Sequence, residues 1–362
     1  MPANGIQPRP ARSVASDSRG CIEPVRLPGA PTARRSLMSA TREGAMKALK
    51  ASICVAVTAL ALSLSFGAPS HAEEDEAGTL TRQMKQLYRA GKYMEALPLA
   101  QKSLALREKE FGPDDAQVAT PLNDLGTIHY NLGQYAVAEP LYKRALAIEE
   151  KTLGPNHSEV AMVLNNLGDL YRAEERYAEA EPLLKRAIAI HEKSDDPSIV
   201  MALSNLGAVY SHQGRYDQAI PLFKRGLAVL QKALGPDDPE ATVLMNNLAD
   251  AYTNRHRYAD AERLLKRSMA VTEKAFGPDH PDIAQAQNNL AALYGRQGRN
   301  AEAERLFKRS AATFEKTLGP NHPDLAGVLD NLAGLYKYQG RHADAQQVLK
   351  RSMAIRAKTR PI

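Results

Sequence analysis

From about residue 79 onward the apolar positions recur every three or four residues, with no strand-like alternation. Leu164, Leu167, Leu170 and Tyr171 form one such stripe, and Ala180, Leu183, Leu184, Ala187, Ile188 and Ile190 form the next. This is the spacing of one face of a 3.6-residue helix, so each block predicts two amphipathic helices. The block then repeats. Gly-Pro recurs at 112, 154, 235, 277 and 319, in steps of 42, 81, 42 and 42 residues, the long step holding one 42-residue unit and one of 39. A period in this range predicts an array of stacked units in place of a single globular core.

A second punctuation falls inside each unit, at Gly91 to Tyr93, Gly133 to Tyr135 and Gly214 to Tyr216, with Glu175, His256, Gly298 and Gly340 in register. It divides the repeat into about seven helix-turn-helix units, at 79–112, 113–154, 155–195, 196–235, 236–277, 278–319 and 320–358. Asn156, Asp237, Asp279 and Asn321 each precede an acid by three residues. That spacing predicts capping boxes at the first-helix starts, and Gly-Pro predicts left-handed caps at the second-helix ends. Pro98, Pro140, Pro182 and Pro221 are expected in the opening turn of each second helix, where a missing N–H leaves no gap in the ladder.

The segments Leu167-Gly168-x-x-Tyr171 and Leu206-Gly207-x-x-Tyr210, with Leu-Ala-x-x-Tyr at 248–252, 290–294 and 332–336, resemble the tetratricopeptide repeat. Small-to-bulky pairs at Ala138/Tyr142, Ala219/Phe223 and Ala303/Phe307 fit its second helix. The period of 42, against the usual 34, resembles the kinesin light chain type. The resemblance covers about four-fifths of the chain. It implies an all-α, right-handed superhelix that binds a protein or peptide partner in its concave groove.

The first 72 residues read differently. Residues 1–45 are rich in Arg, Pro and Ser without helical period, and are expected to be a disordered leader or a mis-assigned start. Residues 46–72 have the three parts of a secretory signal: Lys47 and Lys50, an apolar run at 51–66, and Ser70-His71-Ala72. An exported protein is expected, with membrane anchoring by an uncleaved 51–66 as the alternative. Residues 1–72 carry 9 of the 47 Lys and Arg, 3 of the 41 Asp and Glu, and both cysteines, Cys21 and Cys54. The remainder is formally neutral and free of disulfides, so the overall charge of +6 is no argument for nucleic acid.

Chemistry is sparse. No phosphate-binding Gly loop, Cys/His zinc spacing or nucleophile elbow occurs, so neither an enzyme, a metal nor a cofactor is expected. His157, His280 and His322 read as turn residues. The Lys-Arg pairs from Lys143-Arg144 to Lys350-Arg351 follow Glu139, Glu181, Glu262 and Glu304 at four residues in four units, which predicts ion-paired helix surfaces.

Polar residues of the first helices are the binding candidates. Asn123, Asn165, Asn246 and Asn288, with Ser204 and Asp330 in register, lie off the Leu/Tyr stripe, on the side of Thr127, Tyr130, Asp169, Arg172, Asp250 and Lys337. By resemblance this side lines the groove. The following residues Asn166, Asn205, Asn247, Asn289 and Asn331 suit a bond to the neighbouring unit equally well. A scaffold that holds a partner segment is the expected function. Self-association through an uncapped last helix pair is the alternative from another class.

Overall fold

The computed structural model describes residues 76–194 and 196–359. The leader and signal expected at 1–45 and 46–72 lie outside the described residues. Fourteen α-helices and no strand are present among the described residues. They pair as α1 (Glu76–Arg89) with α2 (Tyr93–Phe111), α3 (Ala116–Asn131) with α4 (Tyr135–Leu153), and α5 (Ser158–Ala173) with α6 (Tyr177–Ser194). Four further pairs follow: α7 (Ile199–His212) with α8 (Tyr216–Leu234), α9 (Ala241–Asn254) with α10 (Tyr258–Phe276), α11 (Pro281–Arg296) with α12 (Asn300–Leu318), and α13 (Pro323–Tyr338) with α14 (His342–Thr359). None of the described helices is long and apolar enough to cross a membrane.

Each odd-numbered helix from α3 onward packs on its own partner and on the second helix of the preceding unit. That sandwiching explains its wide apolar stripe: in α5, Val160, Ala161, Val163, Leu164, Leu167, Leu170 and Tyr171 are all buried. Successive first helices also touch one another, whereas successive second helices make no contact of that extent. The first helices therefore form the tighter, inner face of an α-solenoid. The shortened 39-residue unit draws α5 and α7 together in the most extensive contact between any two first helices.

The interior is set by a small residue facing a large one. A Cβ built on Gly207 would lie 2.5 Å from the Phe223 ring, and one on Gly168 2.7 Å from Leu184. Glycine at these positions lets the two helices of a unit approach backbone to side chain.

Three local expectations are corrected. The first-helix caps are His157, His280 and His322, each one residue later than the expected Asn or Asp. Their Nδ1 atoms accept from the amides of Glu159, Asp282 and Asp324 at 3.2–3.3 Å. These histidines have the extended backbone of a cap, which aims the ring at the second amide of the helix. At the start of α9, Asp238 Oδ1 accepts from the amide of Glu240, in place of a box built on Asp237. Second, Gly112, Gly154, Gly235, Gly277 and Gly319 have positive φ as expected, but extended ψ near 160°. The proline that follows disfavours helical ψ before it, and only glycine tolerates the combination that remains. Third, Pro98, Pro140, Pro182 and Pro221 sit in the second turn of their helices, one turn deeper than expected. The carbonyls they release belong to exposed residues, Met94, Ala136, Ala178 and Asp217, so water replaces the lost bond.

The turn within each unit requires a left-handed residue. Gly91, Gly133, Gly214, Gly298 and Gly340 supply it with φ of 73–75°, but Glu175 and His256 adopt it at φ of 61° and 58°. A side chain there costs roughly 1–2 kcal/mol, partly offset by the greater entropy glycine loses on folding. Glu175→Gly is expected to stabilise the protein by about 0.5–1 kcal/mol. A higher urea midpoint for this variant is the predicted result; an unchanged or lower one refutes the assigned strain.

Candidate functional site

The two asparagine series are the donor and acceptor of one ladder. Asn166 Nδ2 donates to Asn123 Oδ1 at 2.8 Å, Asn205 to Asn165 at 3.0 Å, and Asn331 to Asn288 at 3.0 Å. Each rung joins the first helices of adjacent units. Asn123, Asn165 and Asn288 are 5%, 2% and 3% exposed, so these groove candidates are structural first. The ladder stops where Ser204 offers no amide carbonyl to Asn247, and again at Asn246, whose buried Oδ1 has no partner among the described residues. In the next unit Asn289, which stands in register to donate to Asn246, instead accepts at Oδ1 from Gln285 Nε2 at 3.0 Å.

The remaining candidates divide by accessibility. Thr127 is half-buried, its Oγ1 donating to the Asn123 carbonyl and accepting from Tyr142 Oη at 3.1 Å. Asp169 is buried and holds the half-buried Arg172 by two bonds to one carboxylate oxygen, at 3.0 and 2.7 Å. Asp330 pairs with Arg356 of α14. Burial raises the carboxyl pKa of Asp250, against the opposing charge of Arg296 and the Asn254 amide. Tyr130 and Ser204 are half-buried and Lys337 is exposed. Neighbouring first helices are further tied by Arg296 to Asn254 at 2.9 Å, Asn131 to Tyr88 at 3.1 Å, and Lys85 to Asp124 at 3.2 Å. The inner face is thus a row of short polar side chains whose charges are largely paired within the chain.

The glutamates read as surface i,i+4 partners do more than that spacing implies. Glu139 pairs with Lys143 at 2.7 Å within its helix, and also accepts from Tyr171 Oη at 2.9 Å and Arg176 Nη1 at 2.7 Å from the next unit. The same set recurs as Glu181 with Lys185, Tyr210 and Arg215, Glu262 with Lys266, Tyr294 and Arg299, and Glu304 with Lys308, Tyr336 and Arg341. The Arg176 hydrogen bond holds the Glu139 carboxyl at about 2 despite the opposing effect of burial. The arginine of each set also lies over its tyrosine ring, at 4.0, 4.1, 3.6 and 4.0 Å. In four of the six Lys-Arg pairs the second residue reaches back across the junction as well: Arg144 to Glu108, Arg186 to Glu150, Arg225 to Glu192 and Arg351 to Glu315. Most of the basic ridge is therefore an ion-paired seam. Sequence reading missed the inter-unit half of these sets, for which the signal was the Arg that precedes the second helix at 176, 215, 257, 299 and 341.

Among the described residues no group of three or more His, Cys, Asp or Glu is placed to hold a metal ion. A recess of about 430 Å³ opens between α10, α11 and α12, lined by Met269, Leu290 and Leu306 with Lys266, Glu302 and Arg305 at its edges.

Comparison with known proteins agrees with this architecture. No curated protein matches the sequence significantly. Tetratricopeptide-repeat matches cover residues 79–151, 117–193, 198–274, 240–316 and 282–358. A putative kinesin light chain from Podosopora anserina, with nearly identical TPR-like repeats, is 26% identical, with a TM-score of 0.50 over 56% of this chain and 97% of that one. RapI in its apo form superposes with a TM-score of 0.63 at 15% identity, over 78% of this chain and 98% of its own. The Rap conjugation gene regulator of plasmid pLS20, solved in complex with the Phr* peptide, gives 0.57 at 17% identity over 82% and 80%. The helix pairs, the 42-residue period and these matches establish that the chain belongs to the tetratricopeptide-repeat family, in its kinesin light chain-like form.

Proposed function

We propose that the protein is a non-enzymatic scaffold that holds a segment of a partner protein against its first-helix face. One observation carries this reading: seven first helices stand side by side as a continuous inner face. The Asn rungs and inter-unit glutamates set that face before any partner arrives, so the receptor loses little entropy on binding. Thr127, Tyr130, Ser204, Asp250, Asp330 and Lys337 offer hydrogen bonds along it. The pLS20 Rap regulator, of the same fold, is solved with a bound peptide, which supports the reading. The exported location remains part of the proposal and rests on the sequence of residues 46–72 alone.

The test is to obstruct the face without touching the ladder. Ser204→Arg, Ala208→Arg and Ala292→Arg together place three long cations on half-buried inner positions. Captured from an envelope extract, a partner retained by the natural protein is expected to be lost by this variant and kept by Lys232→Glu on α8. Equal capture by all three proteins, with equal helicity, rules out the inner face.

Self-association is the second reading, favoured by Tyr338 and Met353, large apolar side chains 69% and 65% exposed on α13 and α14. It predicts a molecular mass in light scattering that rises with concentration and falls on Met353→Asp.

A further inference from the structure

Four unit junctions carry a glutamate surrounded by a tyrosine hydroxyl, an arginine Nη1 and a lysine Nζ. At the junction of α8 with α9 and α10 the register places Ile220 where that glutamate stands. All three of its donors are nevertheless kept, as Tyr252, Arg257 and Lys224. Arg257 lies over the Tyr252 ring at 4.2 Å, close to the 3.6–4.1 Å of the complete sets. Its Nε and Nη2 donate to Asp260 at 2.9 and 2.6 Å, as those of Arg299 donate to Glu302. Arg257 Nη1, Tyr252 Oη and Lys224 Nζ have no hydrogen-bond or ion-pair partner among the described residues. Lys224 instead stands 5.9 Å from the centre of the Tyr252 ring.

We infer that Lys224, Tyr252 and Arg257 form a recognition site for a carboxylate side chain supplied by a partner polypeptide. The chain itself shows what these donors hold, because at Glu139, Glu181, Glu262 and Glu304 the same three residue types converge on one carboxylate. Charge-assisted bonds of this kind are stronger than neutral ones, and an arginine edge with a fixed hydroxyl suits a planar carboxylate. Ile220 is half-buried against the core and gives an apolar shoulder to the methylene stem of an incoming acid. Lys224 and Arg257 are both exposed, so an incoming side chain reaches them from outside. This site lies at the edge of the second helices, separate from the inner face proposed above, and does not depend on that reading.

The probe is an amidated, fluorescently labelled hexaglutamate peptide, with hexaglutamine as its neutral counterpart. Both are titrated with full-length protein by anisotropy at about 20 mM salt, where screening is weak. The natural protein is expected to bind hexaglutamate and not hexaglutamine. Ile220→Glu supplies the missing carboxylate internally and is expected to weaken binding about tenfold, the loss of one charge-assisted contact. Ile220→Gln, without the charge, is expected to stay within about threefold of the natural protein. Lys224→Gln, at an exposed position, is expected to weaken binding severalfold. The inference is overturned if Ile220→Glu binds as the natural protein does, if Ile220→Gln loses as much as Ile220→Glu, or if both peptides or neither bind.

Discussion

Gly207→Ala is expected to destabilise the fourth unit by about 1–3 kcal/mol, the range typical of overpacking a filled core. The added methyl meets Phe223 Cε1 at 2.5 Å, and Phe223 is only 1% exposed, with no solvent side into which to withdraw. Either the ring leaves its rotamer or α7 and α8 separate. Separation would also disturb the packing of α8 on α9, because units in a solenoid contact only their neighbours. The repeats identify the compensating change. In the next unit the register pairs Ala249 with Leu265, so Gly207→Ala with Phe223→Leu reproduces a combination the chain already uses. Unit 6 combines Ala291 with Phe307, so the larger pair is accommodated there, and the cost at Gly207 comes from the close approach already set by Phe223 in its own unit. The urea midpoint is therefore expected to fall for Gly207→Ala and to recover in the double variant. A double variant less stable than Gly207→Ala alone would show that the close approach does not set the cost.

The features legible in the sequence were those a single helix pair contains. Periodic leucines, the Gly-x-Tyr turn and the Gly-Pro stop each fix local structure, and the fourteen helices follow them. What escaped reading joins units. The helical wheel favours a ligand for Asn165 and leaves Asn166 open between a ligand and a neighbouring unit, whereas each is one end of a bond 40 or 43 residues long. A wheel describes the surroundings of one helix, and the partner of Asn123 lies on another. The same limit hid Tyr171 and Arg176 from Glu139, at separations of 32 and 37 residues. Pairs near one repeat length apart were the available signal. The caps failed for a different reason: Asn-x-x-acid and His-x-acid overlap in one turn, and only the backbone angles decide which side chain faces the amides.

Glu149→Gln is expected to make the protein more stable above neutral pH and to leave its stability near pH 4 almost unchanged. Glu149 occupies a second-helix position that His191, Leu230, Thr272 and Phe314 fill in other units, and it is 5% exposed. Burial, with repulsion from Glu159, raises its carboxyl from 4.5 to about 7. Between these values the folded state keeps a proton that the unfolded chain releases. Stability from this group is therefore complete below pH 4.5 and declines as pH rises through 7. At 1.36 kcal/mol per pH unit the full effect is about 3 kcal/mol, all of it removed by the neutral amide. Other groups slope the opposite way. Desolvation lowers the pKa of His191 and His212, so their contribution is lost as pH falls through and below their ordinary value of 6.5. Glu139, Glu181 and Glu304 are held at about 2, so theirs is lost between 4.5 and 2. The natural protein's own profile mixes these slopes, whereas the difference between Glu149→Gln and the natural protein isolates one carboxyl. Urea titrations of both from pH 4 to pH 8.5 should show that difference opening between about pH 4.5 and 7 and then levelling. A difference that stays flat means that Glu149 ionises freely in the fold, through water reaching the seam between α4 and α5.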